Sequence, residues 1–281
     1  MQNVSNKTSE LIIRIIVASI IIIAAGFILY FSENERFIRL VAAVCACFAT
    51  YEFFNVTDTM EHEFWFVATM IAAFVLPFVN IPRFEIFLLV AFLLAVIVGI
   101  CMMAYKERFH FGKPLSAVML SLVVTLFFIA IPKIRFLDNG LYYLIFSLVV
   151  CITTDSAAYL IGRKWGKTKL IPKVSPNKTV EGAVAGIVIS FLISILLGIV
   201  LQFATHTLIL DWHKFIYYLL FTSVVGQFGD LTASVIKRIA CVKDYGVLLP
   251  GHGGIVDRLD SLAFVFAFTY LFIVFGLGFI F

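Results

Sequence analysis

Two stretches of this chain hold nearly every side chain able to do chemistry. The first is TTDSAAYLIGRKWGKTKLIPKVSPNKTVEG, residues 153–182, and the second is GQFGDLTASVIKRIACVKDYGVLLPGHGGIVDRLDS, residues 226–261. Asp155 stands inside an apolar run, where an acid is costly and marks a functional site unless a neighbouring helix hydrogen-bonds it. Tyr159, four residues on, shares its helical face. Arg163, Lys164, Lys167 and Lys169 follow; alone they are the ordinary basic flank of a membrane helix. Ser175, Lys178 and Thr179 then add hydroxyls and a cation at a helix start, where free backbone N–H groups can hold phosphate. Gly182 and Gly186 form a G-x-x-x-G pair suited to close helix packing.

In the second stretch Asp230, Ser234 and Lys237 recur at i, i+4 and i+7, so they share one helical face that lipid would reject. Arg238 flanks that face. Gly251, Gly253 and Gly254 surround His252 in a loop where backbone can approach a ligand. Asp257 and Asp260 are one helical turn apart and can face the same ion. Hard divalent cations choose carboxylate oxygens, and Mg²⁺ commonly takes one or two carboxylates plus substrate phosphates. Acids, cations and glycines at this density suit a metal–polyphosphate complex, for which positioning and electrostatics do most of the catalysis.

The elements that must position these residues are membrane helices. Of the 281 residues 62% are hydrophobic, 31 are Phe and 14% are charged, against roughly 25% charged in a soluble domain. Spans of about 20 residues are expected over 11–31, 36–55, 63–81, 84–105, 114–132, 139–161, 181–204, 213–236 and 260–280. Unbroken apolar runs without period-2 alternation choose helices over a barrel. The fold class read from this is all-α, a polytopic integral membrane protein of about nine transmembrane helices. Residues 1–135 form a greasy N-terminal group of about five helices, and 136–281 form the catalytic region. The N-terminus shows no cleavage pattern.

With nine spans, Lys7, Arg14, Lys106, Arg108, Lys113, the basic residues of 163–178, Lys237, Arg238, Lys243 and Arg258 fall on one side. Arg36, Arg39, Arg83, Lys133, Arg135 and Lys214 fall on the other. The positive-inside rule places the richer side, with the N-terminus, in the cytoplasm. Basic loops beside membrane helices argue for lipid or phosphorylated substrate, and against nucleic acid. The acidic loop from Glu52 to Glu63 reads as a solvated turn. The five cysteines are scattered, without disulfide or zinc spacing.

The run SVIKRIACVKDYGVLLPGHGGIVDRLD (234–260) resembles the signature of the phosphatidate cytidylyltransferases, the CDP-diacylglycerol synthases. SPNKTVEG and Asp155-x-x-Ala-Tyr resemble a further region of that family. The likeness is close over about 151–261 and general before it. Asn177 and Tyr245 depart from the pattern, which puts lipid or nucleotide contacts in doubt, since many members carry Lys and a small residue there. The resemblance implies that CTP and phosphatidic acid give CDP-diacylglycerol and pyrophosphate with Mg²⁺, and the acid count leaves room for a second metal ion. The phosphate nucleophile is already ionised, so cations matter more than a base. The expected metal ligands are Asp230, Asp257 and Asp260. Lys237, Arg238, Lys243, Asp244 and His252 are the expected catalytic residues. Asp155, Arg163, Lys167, Ser175, Lys178, Thr179, Ser234 and Arg258 are the expected substrate contacts. A bacterial inner membrane, a cytoplasm-facing site and room for a homodimer complete the expectation. A transporter would need inverted repeats with matching broken helices, whereas the polar residues here crowd into one half. Another lipid-activating enzyme, such as a lipid-alcohol kinase, is the nearer alternative.

Overall fold

The computed structural model describes residues 19–20, 23–105, 114–205, 208–247 and 253–280. The architecture is all-α. Its helices are α1 (Ile23–Glu33), α2 (Glu35–Val56), α3 (Glu63–Val75), α4 (Phe84–Ala104), α5 (Pro114–Arg135), α6 (Gly140–Trp165), α7 (Val180–Thr205), α8 (Trp212–Ile239) and α9 (Val256–Phe272). Among the described residues seven segments are long and apolar enough to cross a membrane: α2, α4 to α8, and α9 with its wider final turns to Leu277. The other two expected spans are shorter among the described residues. About half of the span expected over 11–31 lies outside them. The span expected over 63–81 ends its α-helix at Val75, where Pro77 tightens the chain into a short 3₁₀ turn. That segment still returns to the end of the bundle where α2 began, because Arg39 Nη1 donates to the Pro77 carbonyl at 3.1 Å.

Local chemistry sets the helix starts. Asn34 Oδ1 caps α2 by accepting from Arg36 N and Phe37 N at 3.1 and 3.2 Å. Asp211 caps α8 through Lys214 N at 3.3 Å. The loop between α6 and α7 folds into a small antiparallel hairpin that the sequence reading did not anticipate. Strand β1 (Lys169–Ile171) pairs with β2 (Ser175–Thr179), Lys169 opposite Thr179 and Ile171 opposite Ser175.

Helix α6 packs along α7 more extensively than any other pair among the described residues. The G-x-x-x-G expectation accounts for it: a Cβ on Gly182 would meet the Ala158 carbonyl oxygen at 2.6 Å, and one on Gly186 the Thr154 carbonyl at 2.8 Å. Elsewhere buried hydroxyls join the helices. Ser147, Tyr218 and Thr269, from α6, α8 and α9, lie 2.8–3.0 Å apart, and Ser190 of α7 lies 2.9 Å from Ser223 of α8. In an apolar medium such pairs hold helices that the hydrophobic effect cannot. The boundary drawn at 135 falls in the turn between α5 and α6, while α5 packs on both α2 and α9.

One expectation is corrected. Glu52 is not in a solvated turn; it lies on α2 and is 2% exposed. Asp58, Glu61 and Glu63 of the same stretch are exposed.

Candidate active site

The C-terminal half of α6, the first turn of α7, the middle of α8 and the hairpin meet toward one end of the bundle. Between them lies a polar cavity of about 650 Å³. Asp155, Tyr159 and Arg163 enter its wall from α6, Lys169, Ser175, Lys178 and Thr179 from the hairpin, and Gln227 and Asp230 from α8. Two acids and three cations thus share a wet space in an otherwise apolar protein. Lys178 pairs with Asp230. Asp155 turns an exposed face to the cavity. Asp155, Asp230 and Asp260 lie close enough to repel one another electrostatically. Arg163 Nη1 donates to Tyr159 Oη at 3.2 Å, along one face of α6.

The hairpin is held to the helices by its own polar groups. Thr179 Oγ1 accepts from Gly182 N at 3.1 Å and so caps α7. Glu181 accepts from Thr168 N at 3.0 and 3.1 Å through its two oxygens. Arg238 reaches across from α8, its Nε 3.2 Å from the Val174 carbonyl and its Nη1 3.3 Å from that of Val242.

A second construction lies beside the cavity. Asp257, in the first turn of α9, has a side chain only 3% exposed, paired with Lys237 at 2.7 Å. Its other oxygen accepts from Tyr245 N at 2.8 Å and Gly254 N at 2.9 Å. Gly253 takes φ 84°, and a Cβ there would press on Asp257 Oδ2 at 2.9 Å. Asp257 and Lys237 together latch the loop after α8 onto α9. Tyr245 fills the space beneath: it is buried, donates to the Ala233 carbonyl at 3.0 Å, and stands edge-on to Phe53 with ring centroids 5.5 Å apart. Burial, then the charges of Asp260, Asp257 and Glu52, pushes its phenol well above the usual range.

Glu52 completes the latch from the opposite half of the chain. Its two oxygens accept from Ile255 N at 2.7 Å and Val256 N at 2.8 Å, a two-pronged cap on the N-terminus of α9. A Cβ on Gly254 would collide with this carboxylate. Sequence reasoning missed Glu52, although the signal was present: an acid inside the apolar run Ala49-Thr50-Tyr51-Glu52-Phe53-Phe54, the same argument that singled out Asp155.

The expected residues therefore divide. Asp155, Arg163, Ser175, Lys178, Thr179 and Asp230 come together around the cavity. Asp260 adjoins the acids, receiving Ser261 N at 2.7 Å. Lys237, Arg238 and Asp257 are engaged with protein partners, as described. Lys167, Lys243, Asp244 and Arg258 are exposed, and Ser234 is half-buried. His252 lies outside the described residues, as do Lys7, Arg14, Lys106, Arg108 and Lys113 of the orientation argument. Among the described residues no three His, Cys, Asp or Glu side chains converge as a preformed metal cage. The donor set does fit a divalent cation held mainly by substrate. Asp155 and Asp230 offer carboxylate oxygens within one cavity whose basic residues suit phosphates, the arrangement Mg²⁺ favours. Asp257 could join such a site only by releasing Lys237 from Oδ1.

The family profile described as Cytidylyltransferase family matches residues 12–275. Curated relatives include "Phosphatidate cytidylyltransferase" of Bacillus subtilis (strain 168), 40% identical over 166 residues, which are 59% of this chain and 60% of that protein. The protein of the same name from Staphylococcus epidermidis is 38% identical over 164 residues, covering 57% of this chain and 59% of its own length. That of Staphylococcus aureus (strain COL) is 37% identical over 160 residues, with the same coverage. The chain spans about 60% of the length of these relatives.

Proposed function

This chain belongs to the cytidylyltransferase family, and from that premise we propose that it transfers the cytidylyl group of CTP to phosphatidic acid. The observation that carries the reading is the polar cavity, where Asp155 and Asp230 lie among Arg163, Lys169 and Lys178 at the end of an apolar bundle. A phosphate oxygen of phosphatidic acid attacks the α-phosphorus of CTP. The bond from that phosphorus to the bridging oxygen of the β-phosphate breaks, and pyrophosphate leaves with the electron pair.

Both reactants are anions, so the principal barrier is bringing them together, and the basic wall lowers it. Lys178 is poised between Asp230 and the cavity, able to exchange its carboxylate partner for an incoming phosphate. Arg163 presents a planar fork suited to a phosphate's paired oxygens. The hairpin cap at Thr179 keeps the first turn of α7 formed beside these groups. Asp155 and Asp230, with Asp260 adjoining, are the residues that would hold Mg²⁺. Bound there, the ion would neutralise polyphosphate charge and steady the departing pyrophosphate. The basic loops support a cytoplasm-facing site in a bacterial inner membrane.

The test uses full-length protein in detergent with radiolabelled CTP and phosphatidic acid. Label should pass into the organic phase with Mg²⁺ and stop with chelator. Asp230→Asn, which removes a carboxylate charge and frees Lys178, should lower kcat by about a hundredfold or more. Wild-type turnover in Asp230→Asn, or transfer unaffected by chelation, would overturn the assignment.

A further inference from the structure

On the far side of α8 from the polar cavity lies a second space, lined almost wholly by apolar side chains of α4, α5, α8 and α9, with a volume of about 220 Å³. We propose that it receives one hydrocarbon tail of the lipid phosphate substrate and so sets acyl-chain preference. The proposal rests on the substrate reading given above and adds to it the place of the tail.

Three observations carry it. The first is adjacency. Asp230 and Leu231 face the polar cavity while Gly229 and Thr232, their neighbours on the same turn, line the apolar one. Asp260 belongs to the acid group and also forms part of the apolar wall. The two spaces therefore lie at one level of α8, on its opposite faces, with Asp260 of α9 bordering the apolar one and adjoining the acids of the other.

The second is shape. Leu94, Val98 and Met102 recur every four residues along α4 and all line the space. Eight residues of helix span about 12 Å, so the space runs along the bundle. A narrow apolar space of that length suits an extended hydrocarbon chain.

The third is chemistry. Water in so apolar a space finds almost no hydrogen-bond partners, and leaving it unfilled sacrifices packing. Hydrocarbon is the filling it suits. That hydrocarbon could belong to the substrate or to a bystander lipid of the bilayer, and the experiment separates the two.

Ala95 on α4 and Val123 on α5 both line the space and lie outside the polar site. Ala95→Phe and Val123→Phe each fill part of it; Ala95→Leu adds less bulk and keeps the comparison available if a Phe variant fails to fold. Each full-length variant is assayed with CTP against dibutanoyl and dioleoyl phosphatidic acid, and kcat/KM is compared. The expected result is a drop for the dioleoyl lipid about tenfold greater than for the dibutanoyl lipid, whose tails are too short to reach far along the space and whose turnover serves as the folding control. Equal losses on both lipids would show a bystander tail in the space and overturn the proposal, as would no loss on either. Wild-type protein inert toward both lipids would instead sink the substrate reading, and this proposal with it.

Discussion

Removing the Glu52 carboxylate tests whether the N-terminal helices help to build the site. Glu52 lies on α2, yet both its oxygens are committed to Ile255 N and Val256 N, at 2.7 and 2.8 Å. In Glu52→Ala those donors lose their partner in a region where Val256 is 5% exposed. A buried N–H left unsatisfied costs about 1–3 kcal/mol, and the favourable charge at a helix N-terminus is lost as well. Relief from burying an ionised carboxylate offsets part of this, which leaves a net cost of about 3 kcal/mol. For a chain of this size that lowers Tm by roughly 6–12 °C, measurable by intrinsic-fluorescence melting in detergent. Glu52→Gln keeps one acceptor and should fall between. Helix α9 also carries Asp260, which adjoins Asp155 and Asp230, so kcat should drop at least about tenfold in Glu52→Ala even at temperatures where the variant is folded. A Glu52→Ala protein melting within about 2 °C of wild type with unchanged kcat would refute the reasoning.

Three further outcomes follow from the same geometry. Lys237→Met and Asp257→Asn should each destabilise the protein by about 3 kcal/mol, and the double variant by clearly less than their sum; additive losses in chemical unfolding would show that the latch is not a coupled pair. Gly182→Ala should cost about 1–3 kcal/mol by forcing α6 and α7 apart, read as a lower Tm, whereas Ala185→Leu on the same helix should cost less; equal melting of the two variants would contradict the close-packing account. The Tyr245 phenol is pushed up by burial, so the unfolded chain ionises first. Its contribution to stability is fully present below the ordinary Tyr pKa of about 10 and is lost as pH rises above it. Tyr245→Phe should therefore lose less stability than wild type between pH 9 and 11, and parallel alkaline losses would remove Tyr245 from the explanation.

How much of this was legible in the sequence depended on whether a signal was local. The spans, the Gly182–Gly186 contact and the gathering of 153–182 with Asp230 all follow from helical periodicity and the cost of placing charge in lipid. Asp257 and Asp260 show where periodicity fails. Their three-residue spacing places both on adjoining parts of one helix, which suggested a shared ion. In the fold Asp257 sits where the preceding loop returns, and Tyr245 N, Gly254 N and Lys237 claim its oxygens. Asp260, one turn deeper, meets Asp155 and Asp230 instead. Nothing in the spacing distinguishes these fates, because they are decided by the path of a loop. Glu52 was lost for the opposite reason. An acid one turn before the end of an apolar run can be taken for the edge of a solvated turn despite its apolar neighbours, and the approach of α9, some two hundred residues later, makes it a buried cap. The same dependence explains why residues 1–135, nearly all of which the family profile also matches, are part of the site's construction: their helices supply the carboxylate that fixes α9 and walls of the apolar space beside the acids. Variation of those helices therefore acts on α9 and on the apolar space while the acids and cations of the polar cavity stay fixed.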